Sequence, residues 1–508
     1  MASTVEAHSS RRLSDTKTPS CSTGPASQPQ VSDDQHESRP INASGHQQEL
    51  ESQFNTLSLI AVGITIGDVW PATAVAGRFC VDELRCRYVT IHGEGGVSIP
   101  LVWGQWHSCL SLCTQEPNAD IITAQQILGT YAFANPNYTQ QSWHVFLVFL
   151  AALWSAYAMI MFANRTMPLL HNVGVVLVLG GLIIMITICG AMPGRGGRPP
   201  HATSKAVWTD WMNYSGWPDV VAFMCGMLNG AYAVGAPDAT IHVAEEIPQP
   251  HINVPKAMCI QMISGMITAF AYLIAIMYCI TDFDEILNAT LPLAAVYKQA
   301  TRSDSITIGM MVVTLLPLYT CLVGAVLAAS RQGWVLARDK ATPYPDFIAS
   351  VHPRWKMPFN AALINCILST ILGCLYLGSS LAFNALVSSY VQLSTTTYMS
   401  AIIPLILGGR KYFEPGWFSM RGKIGMIMNL MSVAYMGVFI VIYSFPPSHP
   451  TTVAGMNWAP VVYVSISVII TIYWFKLRNE YDGPVYVGRI QTIDGIPDAA
   501  QCSNTVKQ

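Results

Sequence analysis

Residues 216–247 read GWPDVVAFMCGMLNGAYAVGAPDATIHVAEEI, an apolar stretch that is interrupted near its middle. Residues 220–234 carry no charge, as expected of a helix that spans a membrane. The segment Gly235-Ala236-Pro237-Asp238 then interrupts the apolar run, because proline lacks a backbone donor and clashes with the preceding helical turn. We therefore expect a helix that is broken deep inside a bilayer.

Asp238 stands at this break. Inside lipid, an irregular backbone is tolerated only where it is buried in protein or lines a watery cavity, and an ionisable side chain there is costly. Two interpretations stay open: Asp238 belongs to a functional site, or it is the N-cap of the second half of the helix.

The composition places the chain in a membrane. Of its 508 residues 52% are hydrophobic and only 11% are charged, and a mean hydropathy of +0.37 is too high for a soluble protein of this length. A net charge of −2 argues against nucleic acid as a partner, since binding it needs a clustered basic surface. The thirteen cysteines show no CxxC pair or metal-ligand spacing, so we expect no metal or other cofactor.

The chain divides into three parts. Residues 1–53 are rich in Ser, Gln, His and Pro and lack an apolar run, which predicts a disordered tail. Residues 54–477 are the predicted transmembrane domain, and residues 478–508 are a second tail.

The first span, residues 54–77, is interrupted like the stretch at Asp238, here by Gly67, Asp68 and Pro71. Two spans that each carry a glycine closely followed by an aspartate are typical of a transporter whose site lies between unwound helices. We expect the two breaks to face each other.

Ten spans are clear from apolar runs, and twelve would form if two marginal segments, residues 97–113 and 121–134, each made a helix. Residues 78–120 hold no run of the about 18 apolar residues that a span needs, so we expect them to be the least ordered part of the domain. The ten lie at residues 54–77, 143–163, 167–191, 217–246, 254–280, 306–329, 358–377, 381–407, 424–443 and 459–475.

Loop charges predict the orientation. With both termini inside the cell, 19 of the 27 lysines and arginines lie in inner loops and tails and 5 in outer loops. Asn137, Asn213 and Asn288 head glycosylation sequons in outer loops, whereas Asn164 heads one in an inner loop, so the sequons do not decide the orientation.

Three strings resemble the amino-acid/polyamine/organocation transporter superfamily, in particular its fungal amino-acid, choline and GABA permeases. They are GAPDATIHVAEEIPQPHINVPKAM at residues 235–258, AASRQGWVLARDKATPYPDF at residues 328–347 and FKLRNEYDGPVYVG at residues 475–488. The resemblance implies two inverted five-helix repeats plus two further helices, with substrate held between broken helices one and six. Residues 78–120 depart from the family pattern, through either a misassigned exon or genuine divergence.

The resemblance also implies the substrate site, which lies where half-helix ends offer unpaired amides to an anion and free carbonyls to a cation. The carboxylate-facing backbone is then Thr65, Ile66 and Gly67, and the amine-facing side is Gly235, Ala236 and Asp238.

Three further side chains are candidates at this site. Tyr232 would cover a bound ammonium with its ring face or is an ordinary core tyrosine, and Asn229 would hydrogen-bond to substrate or to a neighbouring helix. Asp68 would either favour a cationic solute through its charge or, in protonated form, serve as a proton-coupling group.

Glu245 and Glu246 follow the second break. Glu245 would form an ion pair with Arg331 or Arg338 and so hold an inner gate closed. The alternative is a solvated helix end, where surface ion pairs contribute little to stability.

These features predict a multi-pass plasma-membrane protein that carries a small amine-bearing solute across the lipid bilayer. Protons are the expected coupling ion, because no ATP-binding P-loop is present and the resemblance implies ion coupling. The alternatives are a nutrient receptor that no longer transports, or a defective gene product of the same family. An intramembrane aspartyl protease is a remote alternative, because Asp238 follows Gly-Ala-Pro rather than Gly-x-Gly; we expect no enzyme.

Overall fold

The computed structural model describes residues 50, 53–66, 98–211, 213, 215–233, 238–289, 291–408, 422–446, 448–452 and 455–477. All of them belong to one compact unit, Pro40–Gln508. Throughout these residues regular structure is helical, apart from an isolated β-bridge between His352 and Met357. The predicted tails lie almost wholly outside the described residues.

Most helices coincide with the apolar runs of the sequence. The first half contains α1 (Thr56–Ile66), α2 (Ser98–Ala134), α3 (Ser142–Ala163), α4 (Met167–Ala191), α5 (Ser204–Trp208), α6 (Asp219–Ala233) and α7 (Ala239–His242). Short 3-10 helices, Asn164–Thr166 and Ala244–Glu246, follow α3 and α7. The second half contains α8 (Pro250–Met277), α9 (Phe283–Asn288), α10 (Pro292–Thr301), α11 (Asp304–Arg338), α12 (Pro345–Ile348), α13 (Phe359–Gly378), α14 (Ser380–Leu407), α15 (Gly422–Ile442) and α16 (Ala459–Leu477).

Six helical segments among the described residues are long and apolar enough to cross a membrane. They are Ser142–Ala191, which holds both α3 and α4, and Pro250–Met277, Asp304–Arg338, Phe359–Gly378, Gly422–Ile442 and Ala459–Lys476. The chain is therefore an all-α polytopic membrane protein, as predicted. The total of ten spans stays a prediction.

The structure corrects the prediction of two marginal helices before α3. Both segments belong to one continuous helix, α2, which contains Pro117. A proline removes only one backbone donor, and polar contacts beside it hold α2 to its neighbours. Glu116 accepts hydrogen bonds from the hydroxyls of Tyr157 on α3, at 2.8 Å, and Ser369 on α13, at 2.9 Å. The rest of the atypical stretch, residues 78–97, lies outside the described residues.

The largest core cluster joins α1, α3 and α11, with Leu59, Leu153 and Leu322 among its buried side chains. Glycines allow close helix packing at its edge. A Cβ added to Gly373 of α13 would lie 2.3 Å from a ring carbon of Phe149 on α3. Ala239 and Ile241 of α7 belong to the same core cluster, so α7 is packed against these long helices.

Candidate functional site

Two helices flank the second predicted break. Helix α6 ends at Ala233 and α7 begins at Ala239, with Asp238 as its N-cap residue. Gly235 and Ala236 lie between them, outside the described residues, as do Gly67 and Asp68 at the first break. That the two breaks face each other stays a prediction.

Two predicted site residues lie within α6 itself. Asn229 and Tyr232 belong to its last turns, but their side chains are outside the described part of the chain. Their proposed contacts with substrate stay predictions.

Asp238 is buried, with 6% of its surface exposed, and its carboxylate makes no cap hydrogen bond to α7. The hydroxyl of Tyr398 on α14 donates to its Oδ1 at 3.1 Å. Nε2 of His242, one turn along, lies 3.4 Å from its Oδ2. The carboxylate therefore serves a tertiary contact rather than capping α7, and its part in a substrate site stays a prediction.

Tyr398 was not predicted from the sequence. It follows a run of polar residues, Ser394-Thr395-Thr396-Thr397, within the otherwise apolar helix α14. Such a run in a span is the signal that would have identified α14 as a wall of the site, because polar side chains inside a membrane face protein or water.

Helix α1 packs directly against α7. A Cβ added to Gly63 would lie 3.1 Å from the methyl carbon of Thr240 and 2.9 Å from Oε1 of Gln261 on α8. This contact brings the end of the first half-helix to the segment that begins at Asp238.

Thr65 and Ile66 form the last turn of α1, and both are buried. The Thr65 hydroxyl lies 2.9 Å from the Ala61 carbonyl oxygen, and the Cys321 thiol of α11 donates to the Ile66 carbonyl at 3.5 Å. Because helical amides at this end are used within α1, amides that face a carboxylate would have to come from residues after Ile66.

Both predicted inner acids are paired with arginines of α11. Glu245 is held by Arg338, whose Nη1 and Nη2 donate to the two carboxylate oxygens at 2.8 and 2.6 Å. The Arg338 guanidinium also stacks on Trp334, 4.6 Å from the ring centroid. The expected pairing of Glu245 therefore exists, in a bidentate form that fixes orientation as well as charge.

Glu246 pairs with Arg331, about two turns before Arg338 on α11. Nε of Arg331 donates to Oε1 at 2.5 Å, and both side chains are 1% exposed. Nη2 of Arg331 also donates to Oδ1 of Asn164, at the link between α3 and α4, at 3.1 Å. This contact joins the segment after α7 to α11 and to the link between α3 and α4, so Glu246 is not a solvated helix end.

A cavity of about 500 Å³ lies between α6, α14 and the segment before α16. None of the predicted site residues whose side chains the structure describes is among its walls. Ala222, Asn384, Ser388, Tyr443 and Asn457 are among its walls.

The sequon asparagines differ in exposure. Asn137 and Asn288 are exposed. Asn213 is partly buried, and its amide donates to the Trp217 carbonyl at 2.7 Å. Asn164 is 3% exposed and engaged by an arginine.

Comparisons with known proteins fit this architecture. A family model described as amino acid permease matches residues 101–466. The chain is 25% identical to a choline transporter of Saccharomyces cerevisiae, over 88% of this chain and 85% of that protein. It is 24% identical to a 7-keto 8-aminopelargonic acid transporter of the same yeast, with 68% and 66% covered. It is 27% identical to a swainsonine transporter of Arthroderma benhamiae, with 68% of each covered.

Proposed function

Because this chain belongs to the amino acid permease family, we propose that it is a secondary active transporter of a small amine-bearing solute, coupled to protons. The observation that carries the proposal is the buried carboxylate of Asp238, which follows the segment between α6 and α7. A buried carboxylate that accepts from a tyrosine hydroxyl and faces a histidine is suited to a cationic nitrogen.

The solutes named for the relatives support an amine-bearing substrate. Choline, an aminopelargonic acid and the amino acids of the family name share a small size and a nitrogen that carries or gains positive charge. Asp238 would receive this nitrogen, while Tyr398 holds the carboxylate in place through its hydroxyl.

Two ion pairs after α7 support a transport mechanism with alternating access. Glu245 with Arg338 and Glu246 with Arg331 tie the segment after α7 to α11, so we assign these four residues to an inner gate. The excess of basic residues in inner loops supports cytoplasmic termini, and we place the protein in the plasma membrane.

The test is uptake into proteoliposomes that hold the full chain, with a labelled panel of choline, GABA, neutral and basic amino acids and polyamines. At least one cationic amine should accumulate under an inward proton gradient. Saturable binding without any transport would support the receptor alternative and sink the proposal.

Asp238→Asn tests the site. Loss of a charge-assisted contact of about 1.5 to 3 kcal/mol should raise the KM for the transported amine about 10- to 100-fold. The matched control is Asp304→Asn, at the first residue of α11, whose side chain is 69% exposed and which should leave the KM unchanged. An unchanged KM in Asp238→Asn would remove Asp238 from the site.

A further inference from the structure

Two cysteines meet where the end of α4 lies beside the segment that follows α8. Cys189 is in the last turn of α4, and Cys279 comes just after α8, which ends at Met277. Both are buried in one core cluster, with 1% and 2% of their surfaces exposed. They are about 90 residues apart in the chain, so sequence spacing gives no sign of the pair.

The two side chains converge on each other. The Cys279 thiol donates to the carbonyl oxygen of Cys189 at 3.5 Å, and it also contacts the Cys189 thiol. A disulfide requires side chains that point toward each other, at a Cα separation below about 7 Å. A sulfur that reaches both the backbone and the thiol of its partner has the required direction, so a bond between the two sulfurs needs only a small rearrangement.

Both cysteines lie at the ends of their helices that are farther from the buried ion pair of Glu246 and Arg331. Helix α8 begins at Pro250, shortly after Glu246, and helix α4 begins at Met167, shortly after the Asn164 that accepts from Arg331. With 28 and 25 residues, each helix is about 40 Å long. Since the loop charges predict a cytoplasmic ion-pair end, we expect the cysteines at the outer side of the membrane.

The outer side is the one where a disulfide persists. Segments on that side face the lumen of the secretory pathway during synthesis and the exterior afterwards, and both are oxidising, whereas cytosolic thiols are kept reduced. Burial protects a bond at this place once it has formed, because reduction requires that a thiolate reach one of the two sulfurs.

We propose that Cys189 and Cys279 form a disulfide that ties the outer end of α4 to the outer end of α8. Two S–H bonds break and one S–S bond forms. The two protons and two electrons pass to a disulfide oxidant of the secretory lumen, a protein disulfide oxidoreductase or glutathione disulfide, which becomes a pair of thiols. The bond closes a loop that contains α5 to α8, and closure of so long a loop restricts the unfolded chain strongly.

The disulfide joins the two helices that lie against α1. A Cβ added to Gly174 of α4 would lie 2.6 Å from the methyl carbon of Thr65, and Gly63 of α1 approaches Gln261 of α8 as closely. These contacts belong to the halves of α4 and α8 nearer the ion pair, whereas the cysteines are at the far ends. The bond therefore holds the outer ends together at a distance from α1.

The first test needs no substrate and no variant that must fold. The full chain is made in a eukaryotic cell, denatured in N-ethylmaleimide to block every free thiol, digested, and analysed by mass spectrometry without reductant. A pair of peptides joined through Cys189 and Cys279 is expected, and it should separate on reduction. Both cysteines labelled by N-ethylmaleimide in the wild type would overturn the inference.

The second test measures thermal unfolding in lipid nanodiscs. Cys189→Ala, Cys279→Ala and the double variant should each unfold a few degrees lower than the wild type, by about the same amount, because each removes the same bond. Reduction of the wild type, verified by loss of the joined peptides, should produce a similar shift. The control is Cys366→Ala, which removes a buried thiol of α13 and should keep the response to reductant.

The opposite result is equally clear. Losses that add in the double variant, or a verified reduction that leaves the unfolding temperature of the wild type unchanged, would show that the cysteines act as two separate packed thiols and would overturn the inference. Neither test depends on the solute or on coupling to protons, so failure of the proposed transport leaves the disulfide unaffected.

Discussion

Glu245 and Glu246 are neighbours in the chain, and each pairs with an arginine of α11, yet their surroundings differ. The side chains of Glu246 and Arg331 are both 1% exposed, whereas Arg338 is 7% and Glu245 is 21% exposed. A buried pair has lost its hydration, so removing one partner leaves an uncompensated charge. A partly exposed ion pair is screened by solvent, so separating its two side chains costs little free energy. We therefore expect Glu246–Arg331 to anchor the inner end and Glu245–Arg338 to open and close.

The largest effect is expected for Arg331→Met. It leaves the Glu246 carboxylate buried without its cation, which should lower the free energy of unfolding by about 3 to 5 kcal/mol. Thermal unfolding of the purified protein in lipid nanodiscs measures the change. The double variant Arg331→Met with Glu246→Leu should recover most of the loss, and failure to recover would contradict the anchoring role.

Asn164→Ala should have an intermediate effect. It removes a hydrogen bond to the Arg331 guanidinium, and hydrogen bonds to charged groups contribute about 1.5 to 3 kcal/mol. The same unfolding measurement applies. In the Arg331→Met background the substitution should cost much less, because the two residues share one contact. Additive effects would show that Asn164 acts elsewhere.

Arg338→Gln should change stability least, by less than about 1 kcal/mol, because its pair is partly exposed. It should instead speed solute exchange, by less than about tenfold, since each 1.4 kcal/mol corresponds to a factor of ten. Exchange by the wild type should also rise with salt, which screens the pair, and the variant should lose that dependence. Arg354→Gln, at an exposed position, is the control. If Arg338→Gln destabilised the protein as much as Arg331→Met does, the expected difference between the buried and the partly exposed ion pair would be wrong.

The helical spans could be predicted from the sequence because lipid forces an apolar run of fixed length. Helix α4 begins and ends at the predicted residues, Met167 and Ala191. Helix α2 was predicted as two pieces because Pro117 and its polar neighbours break the apolar run, while tertiary contacts of Glu116 hold the helix together.

The site was less accessible to prediction from local sequence. Asp238 stands out because a charge in a span is rare, but its contact with Tyr398 joins positions 160 residues apart. The burial of Glu246 rather than Glu245 depends on which face of the segment meets α11. No local pattern in two consecutive glutamates carries that information.

Helix α2 has 37 residues, which at about 1.5 Å per residue makes it about 55 Å long, whereas the hydrocarbon layer is about 30 Å thick. The 20 residues of α13 match that thickness without tilt. Tilt alone does not fit α2 within the layer, because spanning helices tilt by at most about 40°. One or both of its ends must therefore reach the headgroups or beyond. A thicker or thinner membrane would change how much of α2 lies outside the hydrocarbon layer, whereas α13 matches a layer about 30 Å thick.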